Sequence, residues 1–251
     1  MIEEAVASLG EPRYRARQVY EAITRGLVTD FAAMTSLPVR LRAALAERLE
    51  PVALHEVETR VSRRGGARKT LFVTADGHLV EAVLMALPRR ATVCVSSQVG
   101  CAVGCAFCAS GRLGLRRDLT AEEMVDQVLA AERVLRPDGR RVTNVVVMGM
   151  GEPFHNYDET LRACRALNDP EGFGLAARAI SIMVPTSYLT RILYRFCTSV
   201  ATRTVISRIT SSSRTSAMSG IMISGATLIF SLATSQAASM IACTCISEIS
   251  G

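Results

Sequence analysis

The start of the chain lacks the features of a secretory signal peptide. Met1–Gly10 carries Glu3 and Glu4, and it has neither a basic start nor an apolar core. We therefore predict a cytoplasmic protein. Because cytosolic thiols are kept reduced, the eight cysteines are expected to serve metal or redox chemistry rather than to form a disulfide framework.

Most of the chain also lacks an excess of basic charge. The formal net charge is +6, but residues 184–251 supply +4 of it through five arginines and one glutamate, so residues 1–183 are nearly neutral. Overall charge is therefore no argument for binding RNA. The pairs Arg63-Arg64 and Arg116-Arg117 could contact phosphates, although such pairs are more often ordinary surface.

The last 68 residues lack the signals that would continue a folded α/β domain. Residues 184–251 contain no lysine or aspartate, about a third are serine or threonine, and no caps or turn motifs separate apolar segments. The uncharged run Thr215–Ser247 is a poor membrane span because it is rich in Ser, Thr, Gly and Gln. We interpret 184–251 as an aberrant tail that follows a shift of reading frame near Met183. The expected consequence is an exposed sheet edge and a weakly folded or inactive protein.

Apolar spacing predicts a small accessory domain over residues 1–90, which we interpret as RNA-binding-like. It contains helices followed by a β-hairpin whose turn is Asp76-Gly77. The predicted elements are helices Arg13–Thr24 and Val39–Leu49 and strands Lys69–Val73 and His78–Leu84.

Residues 91–183 alternate between strands and helices, which predicts an α/β fold with a parallel sheet or barrel. Thr120 and Glu123 form a capping-box pattern at the start of one helix. The apolar run Asn144–Met148 is typical of a strand that is buried on both faces. The predicted elements are strands Thr92–Ser97, Asn144–Met148 and Ala179–Met183 and helices Thr120–Leu135 and Asp158–Leu167.

Three cysteines, Cys101, Cys105 and Cys108, lie within eight residues of the loop after the first of these strands. Three thiolates on a four-iron cluster leave one iron open to another ligand, whereas a structural zinc site normally has four protein ligands. The alternatives are a zinc knuckle with a distant fourth ligand such as His155, or cysteines that only pack. The position between a strand and a capped helix favours an active-site cluster.

The sequence Gly149-Met-Gly-Glu-Pro153 directly follows the strand that ends at Met148. Glycines at this position allow a ligand to approach the backbone, and the Glu152 carboxylate suits an ammonium group. Such a turn often needs no ligand, because turns favour glycine in any case. Together with the cysteine loop, it predicts a cofactor pocket.

These motifs resemble the RlmN/Cfr family of radical S-adenosylmethionine (SAM) RNA methyltransferases over about residues 10–183. The resemblance rests on long phrases that run through both predicted domains. They are Tyr14-Arg-Ala-Arg-Gln18, Leu37-Pro38, Asp76-Gly77, Val80-Glu-Ala-Val83, Cys94-Val-Ser-Ser-Gln-Val-Gly-Cys101-Ala-Val-Gly-Cys105-Ala-Phe-Cys108-Ala-Ser-Gly111, Val147-Met-Gly-Met-Gly-Glu-Pro153 and Asn156-Tyr157.

The resemblance implies a radical-SAM partial (β/α) barrel and assigns roles to individual residues. Cys101, Cys105 and Cys108 would bind a [4Fe-4S] cluster, and Gly151 and Glu152 would contact SAM. Glu81 would accept a proton, and Cys94 would help to release the product. The methyl-carrying cysteine of the family has no matching position, and Cys197, Cys243 and Cys245 stand in unrelated contexts.

The implied reaction transfers a methyl group to carbon 2 of an adenine in 23S rRNA, with tRNA as a second substrate and flavodoxin or ferredoxin as the electron donor. The alternatives are methylation at carbon 8, another radical-SAM reaction such as glycyl-radical activation, and a non-catalytic iron-sulfur or zinc RNA-binding module. Without the resemblance, Cys94 and Cys164 would be interpreted as core residues and Glu81 as a cross-strand partner.

Overall fold

A computed structural model describes residues 2–105, 108–185, 220–224 and 227–230, with 183–185 and the last two segments described by their backbone alone. These residues form six α-helices and ten β-strands. The helices are α1 (Ile2–Ser8), α2 (Arg13–Thr24), α3 (Val39–Ala46), α4 (Ala109–Arg112), α5 (Ala121–Leu135) and α6 (Tyr157–Asn168). The strands are β1 (Leu54–Val61), β2 (Ala67–Thr74), β3 (Leu79–Leu87), β4 (Arg90–Val95), β5 (Gln98–Val99), β6 (Arg117–Asp118), β7 (Asn144–Val147), β8 (Ile180–Pro185), β9 (Gly220–Ser224) and β10 (Thr227–Phe230).

The first 50 residues form a helical unit with a core of its own. Apolar side chains of α1, α2 and α3 pack together around Val19 and Leu45, both fully buried. Arg25, just after α2, donates hydrogen bonds to the backbone oxygens of Pro170 and Gly172. These bonds attach the helical unit to the segment that follows α6.

The main sheet has the strand order β1-β2-β3-β4-β7-β8-β9-β10. Neighbouring strands from β1 to β4 are antiparallel, whereas β4, β7 and β8 are parallel because α5 and α6 supply the crossovers between them. The predicted α/β fold is thus confirmed. The hairpin β2–β3, which we assigned to the accessory domain, is hydrogen-bonded to β4, so the sheet continues across the boundary predicted at residues 90 and 91.

Helix α5 covers one face of the parallel strands. Its start is fixed by the predicted capping box, in which the Glu123 amide donates to Thr120 Oγ1 and the Thr120 amide donates to Glu123 Oε2. Val128 on the helix and Val145 on β7 are both fully buried in the same apolar cluster. The side of the sheet away from α5, here called the inner face, is the side that carries the candidate catalytic residues described below.

The edge of the parallel sheet beyond β8 differs from the expectation. We expected a bare apolar edge after residue 183, but the backbone of β9 pairs antiparallel with β8, with Ile182 opposite Ile223. An extended segment can satisfy the N–H and C=O groups of an edge strand through its backbone, whatever its side chains. Cys197, Cys243 and Cys245, which the sequence analysis found in unrelated contexts, lie outside the described residues.

No helix in the described part of the chain combines the length and the apolar character required to cross a bilayer.

Candidate functional site

Two loops meet at the carboxyl ends of the parallel strands β4 and β7. In parallel neighbours these ends lie at the same edge of the sheet, where α/β folds place their ligands. The Ser97 amide donates to the oxygen of Met150 at 2.8 Å, and the Met150 amide donates to Ser96 Oγ at 2.8 Å. The cysteine-bearing loop after β4 and the glycine-rich loop after β7 are therefore joined by hydrogen bonds.

The glycines of the second loop allow this close contact. A Cβ atom added to Gly149 would lie 2.6 Å from Ser96 Oγ and 2.8 Å from the Val95 oxygen. At Gly151 the φ angle is +101°, and an added Cβ would lie 2.6 Å from Gln98 Cβ. The sequence suggested that these glycines leave room for a ligand. In the structure they leave room for the neighbouring loop. The contact between Gly151 and a cofactor stays a prediction.

Glu152 is buried at the junction of the two loops, with 4% of its surface exposed. Its amide donates to Gln98 Oε1 at 2.8 Å, and its Oε1 accepts a hydrogen bond from the Phe154 amide at 3.2 Å. Burial raises the pKa of the Glu152 carboxyl to about 7, although the bond from Phe154 opposes the shift. A buried carboxylate of this kind is stabilised by a cationic partner, as the predicted ammonium contact requires.

Two polar side chains to which the sequence analysis assigned no role hold the junction together. Gln98 is fully buried and donates from Nε2 to Asp118 Oδ1 at 2.7 Å. Asn156 donates from Nδ2 to the oxygens of Ser97 and Leu119, at 2.8 and 2.7 Å. The sequence feature that could have pointed to Gln98 is the polar run that directly follows the apolar strand β4. Polar groups that are buried there must find hydrogen-bond partners.

The charges of Cys105, Cys108 and Glu152 all act on the thiol of Cys101. Burial is the main cause that raises the pKa of Cys101, and the charges of Cys108, Glu152 and Cys105 raise it further. The Cys108 amide donates to the Cys105 oxygen at 3.0 Å. A Cys101 thiolate in these surroundings is stabilised by a positive partner such as iron.

The three cysteines therefore fit an iron-sulfur cluster by their donor chemistry. Thiolate sulfur is the usual protein ligand of such clusters, and the loop leads directly into the short helix α4. Within the described residues, no three His, Cys, Asp or Glu side chains converge as they do around a bound ion. The fit thus rests on the type of ligand and on the charges of the loop.

Arg117 forms ion pairs that the sequence did not predict. Its Nε lies 2.7 Å from Asp76 Oδ2 in the hairpin turn, and its Nη2 lies 2.7 Å from Glu123 Oε1 at the start of α5. The bond from Arg117, helped by one from Thr74, lowers the pKa of Asp76. Of the pair suggested for phosphate contacts, Arg117 therefore joins the hairpin to α5 instead, because its guanidinium is occupied by two carboxylates.

The two candidate catalytic residues, Glu81 and Cys94, share the inner face. Cys94 stands opposite Val83, and Glu81 lies two residues before Val83 on the same side of β3. The backbone oxygen of Glu81 accepts a 2.6 Å hydrogen bond from Ser96 Oγ, the same hydroxyl that accepts from Met150. The structure thus brings Glu81 close to Cys94 and links both strands to the glycine-rich loop.

Cys164 is remote from this chemistry. It is half-buried on α6 and packs against the main apolar cluster. Burial raises its pKa to about 11, so it stays a neutral thiol at physiological pH. The interpretation of Cys164 as a core residue is confirmed.

Comparison with known proteins gives two family matches and a set of similar proteins. Residues 1–50 match the family model of the ribosomal RNA large subunit methyltransferase N-terminal domain, and residues 95–196 match that of the radical SAM superfamily. A probable dual-specificity RNA methyltransferase RlmN from Symbiobacterium thermophilum is 48% identical over 179 residues, which cover 71% of this chain and 48% of that protein. A protein with the same description from Chloroflexus aurantiacus is 45% identical over 186 residues, which cover 72% of this chain and 49% of that one.

A solved structure is also similar. The crystal structure of a radical SAM methyltransferase from Sphaerobacter thermophilus superposes with a TM-score of 0.73 at 52% identity, and it covers 78% of this chain and 57% of that one. The chain spans about half the length of the curated relatives that it matches. Over the region that these matches cover, the chain belongs to the RlmN-type family of radical SAM methyltransferases.

Proposed function

We propose that this protein acts in radical-SAM methylation of RNA, with carbon 2 of an adenine in 23S rRNA as the acceptor and tRNA as a second substrate. The main support is the junction of the cysteine loop with the loop that carries Glu152, at the carboxyl ends of β4 and β7. Relatives that are 45% and 48% identical are each described as a "probable dual-specificity RNA methyltransferase RlmN". Carbon 2 of adenine is electrophilic, so an ordinary methyl transfer from SAM does not reach it and radical chemistry is required.

The cofactors would be held by the two joined loops. Cys101, Cys105 and Cys108 would ligate a [4Fe-4S] cluster, which when reduced supplies the electron that cleaves SAM. Glu152 would pair with the ammonium group of SAM, because its buried carboxylate gains most from a cation. Gly151 would offer backbone groups beside it.

Glu81 and Cys94 would serve the RNA base from the inner face. Glu81 Oε1 lies 3.1 Å from Lys69 Nζ, so Oε2 is the atom that we assign to accept the proton. Cys94, on the adjacent strand, would help to release the methylated base. The family's methyl-carrying cysteine has no matching position in this sequence, so the residue that would carry the methyl group stays unassigned.

Anaerobic reconstitution with iron and sulfide tests the proposal. We expect bound iron and sulfide, cleavage of SAM after chemical reduction or with flavodoxin or ferredoxin, and a methyl group on adenine carbon 2 by mass analysis of RNA. Uptake of zinc without iron would instead indicate a non-catalytic RNA-binding module. Cleavage of SAM with methylation at carbon 8, or with no methylation of RNA, would overturn the assigned reaction. Either result would still support the iron-sulfur cluster.

Binding of SAM should depend on the ionisation of Glu152. With a pKa of about 7, this carboxyl is mostly protonated at pH 5.5 and half ionised at pH 7, while the amino group of SAM stays protonated throughout. We therefore expect the affinity for SAM, measured by calorimetry on reconstituted protein, to rise about tenfold from pH 5.5 to pH 7. The Glu152→Gln variant should bind weakly with no such rise, and a flat profile in the unaltered protein would contradict the role of Glu152.

A further inference from the structure

Lys69 is the only lysine among the 29 basic residues of the sequence, and it occupies an unusual position. The lysine side chain is largely buried, with 14% exposed, on the inner face of β2. Its Nζ lies 3.1 Å from Glu81 Oε1. Lysine is among the residues least often buried without a partner, so the contact with Glu81 explains why it can stand there.

The register of the sheet places Lys69 in one row with the candidate catalytic cysteine. Lys69 is opposite Val83, Val83 is opposite Cys94, and Cys94 is opposite Val146. Paired residues on adjacent strands point to the same side of the sheet. Glu81 lies diagonally between Lys69 and Cys94, at the about 7–8 Å that separates diagonal neighbours.

Arg60 on β1 is opposite Lys69, and its charge also interacts with Glu81, but at a longer distance than a direct contact. The Nε of Arg60 lies 2.7 Å from Glu58 Oε1, and both side chains are half exposed. The cation that contacts the Glu81 carboxylate is therefore the compact ammonium group of Lys69. A guanidinium would tend to hold both carboxylate oxygens, whereas an ammonium acts as a point charge and can hold one.

We propose that Lys69 is the positioning residue for Glu81, an inference that rests on the proton-acceptor role assigned under the proposed function. Lys69 holds Oε1 of Glu81 on the inner face and leaves Oε2 directed to the base that enters beside Cys94. Without this contact the half-buried carboxylate, 32% exposed, can rotate among several side-chain conformers. The pair thus fixes the proton acceptor before the RNA binds.

Because the chain has one lysine, the contact can be observed directly. Labelling with 13C,15N-lysine gives one side-chain ammonium NMR signal, that of Lys69. We expect Glu81→Gln to shift this signal and the matched control Glu58→Gln on the neighbouring strand to leave it unchanged. An unchanged Lys69 signal in Glu81→Gln, or an equal change in Glu58→Gln, overturns the proposal.

A kinetic comparison separates positioning from RNA binding. In single-turnover methylation we expect Lys69→Met to lower the rate constant about 10- to 100-fold with the half-saturating RNA concentration nearly unchanged, and Lys69→Arg to restore part of the rate. An unchanged rate constant, or an effect on RNA concentration alone, overturns the proposal and leaves the proposed function intact. If the unaltered protein transfers no methyl group, the proposed function fails, and the NMR comparison still confirms or overturns the contact.

Discussion

Replacing Cys101, Cys105 or Cys108 singly by alanine is expected to abolish iron incorporation and reductive cleavage of SAM. Each variant leaves two thiolates, which cannot hold a four-iron cluster with one open corner. Loss of a residue that only orients a metal ligand already costs 10- to 100-fold in affinity or activity, so loss of a ligand should reduce SAM cleavage by more than about 100-fold. Iron analysis, the visible absorption of the cluster and the yield of cleaved SAM measure the effect.

Cys164→Ala is the matched control for these variants. Its thiol packs on α6 against the main apolar cluster, so its removal should lower the free energy of unfolding by about 1 kcal/mol and leave iron content unchanged. Equal loss of iron in Cys164→Ala would show that the cysteine substitutions act through general unfolding. Full iron content in any of the three loop variants would remove that cysteine from the ligand set.

Gly151→Ala is expected to cause a large loss of stability. The φ angle of +101° is unfavourable for a residue with a Cβ, and the added atom would lie 2.6 Å from Gln98 Cβ and 2.8 Å from the Gln98 amide nitrogen. Strain of the backbone and overpacking together should lower the free energy of unfolding by about 3 kcal/mol. Urea denaturation followed by circular dichroism measures the change.

Gly66→Ala provides the comparison. Gly66 lies in the loop between β1 and β2, where an added Cβ meets nothing within 4 Å, so the free energy of unfolding should change by less than about 0.5 kcal/mol. The difference between the two variants measures the backbone strain and the tight packing against Gln98 together. A Gly151→Ala protein as stable as Gly66→Ala would mean that the two loops are not held together as described.

The local elements were largely predictable because their signals lie within a few residues. The helix predicted at Arg13–Thr24 has those bounds in the structure, and the capping box at Thr120 and Glu123 is formed. Strand β1 was missed because only Leu54 of its eight residues is buried, so it lacks the alternation of apolar and polar residues that marks a half-buried strand.

The sequence by itself identified the cysteine loop, the glycine-rich loop and the family, since these depend on residue type and spacing along the chain. Only the tertiary structure showed which loop packs against the glycines and which carboxylates Arg117 binds. It also showed that Lys69, Glu81 and Cys94 share one face of the sheet. These facts depend on the register between β2, β3 and β4 and on the parallel pairing of β4 with β7. Register and pairing are set by contacts between residues far apart in the chain, which no local pattern specifies.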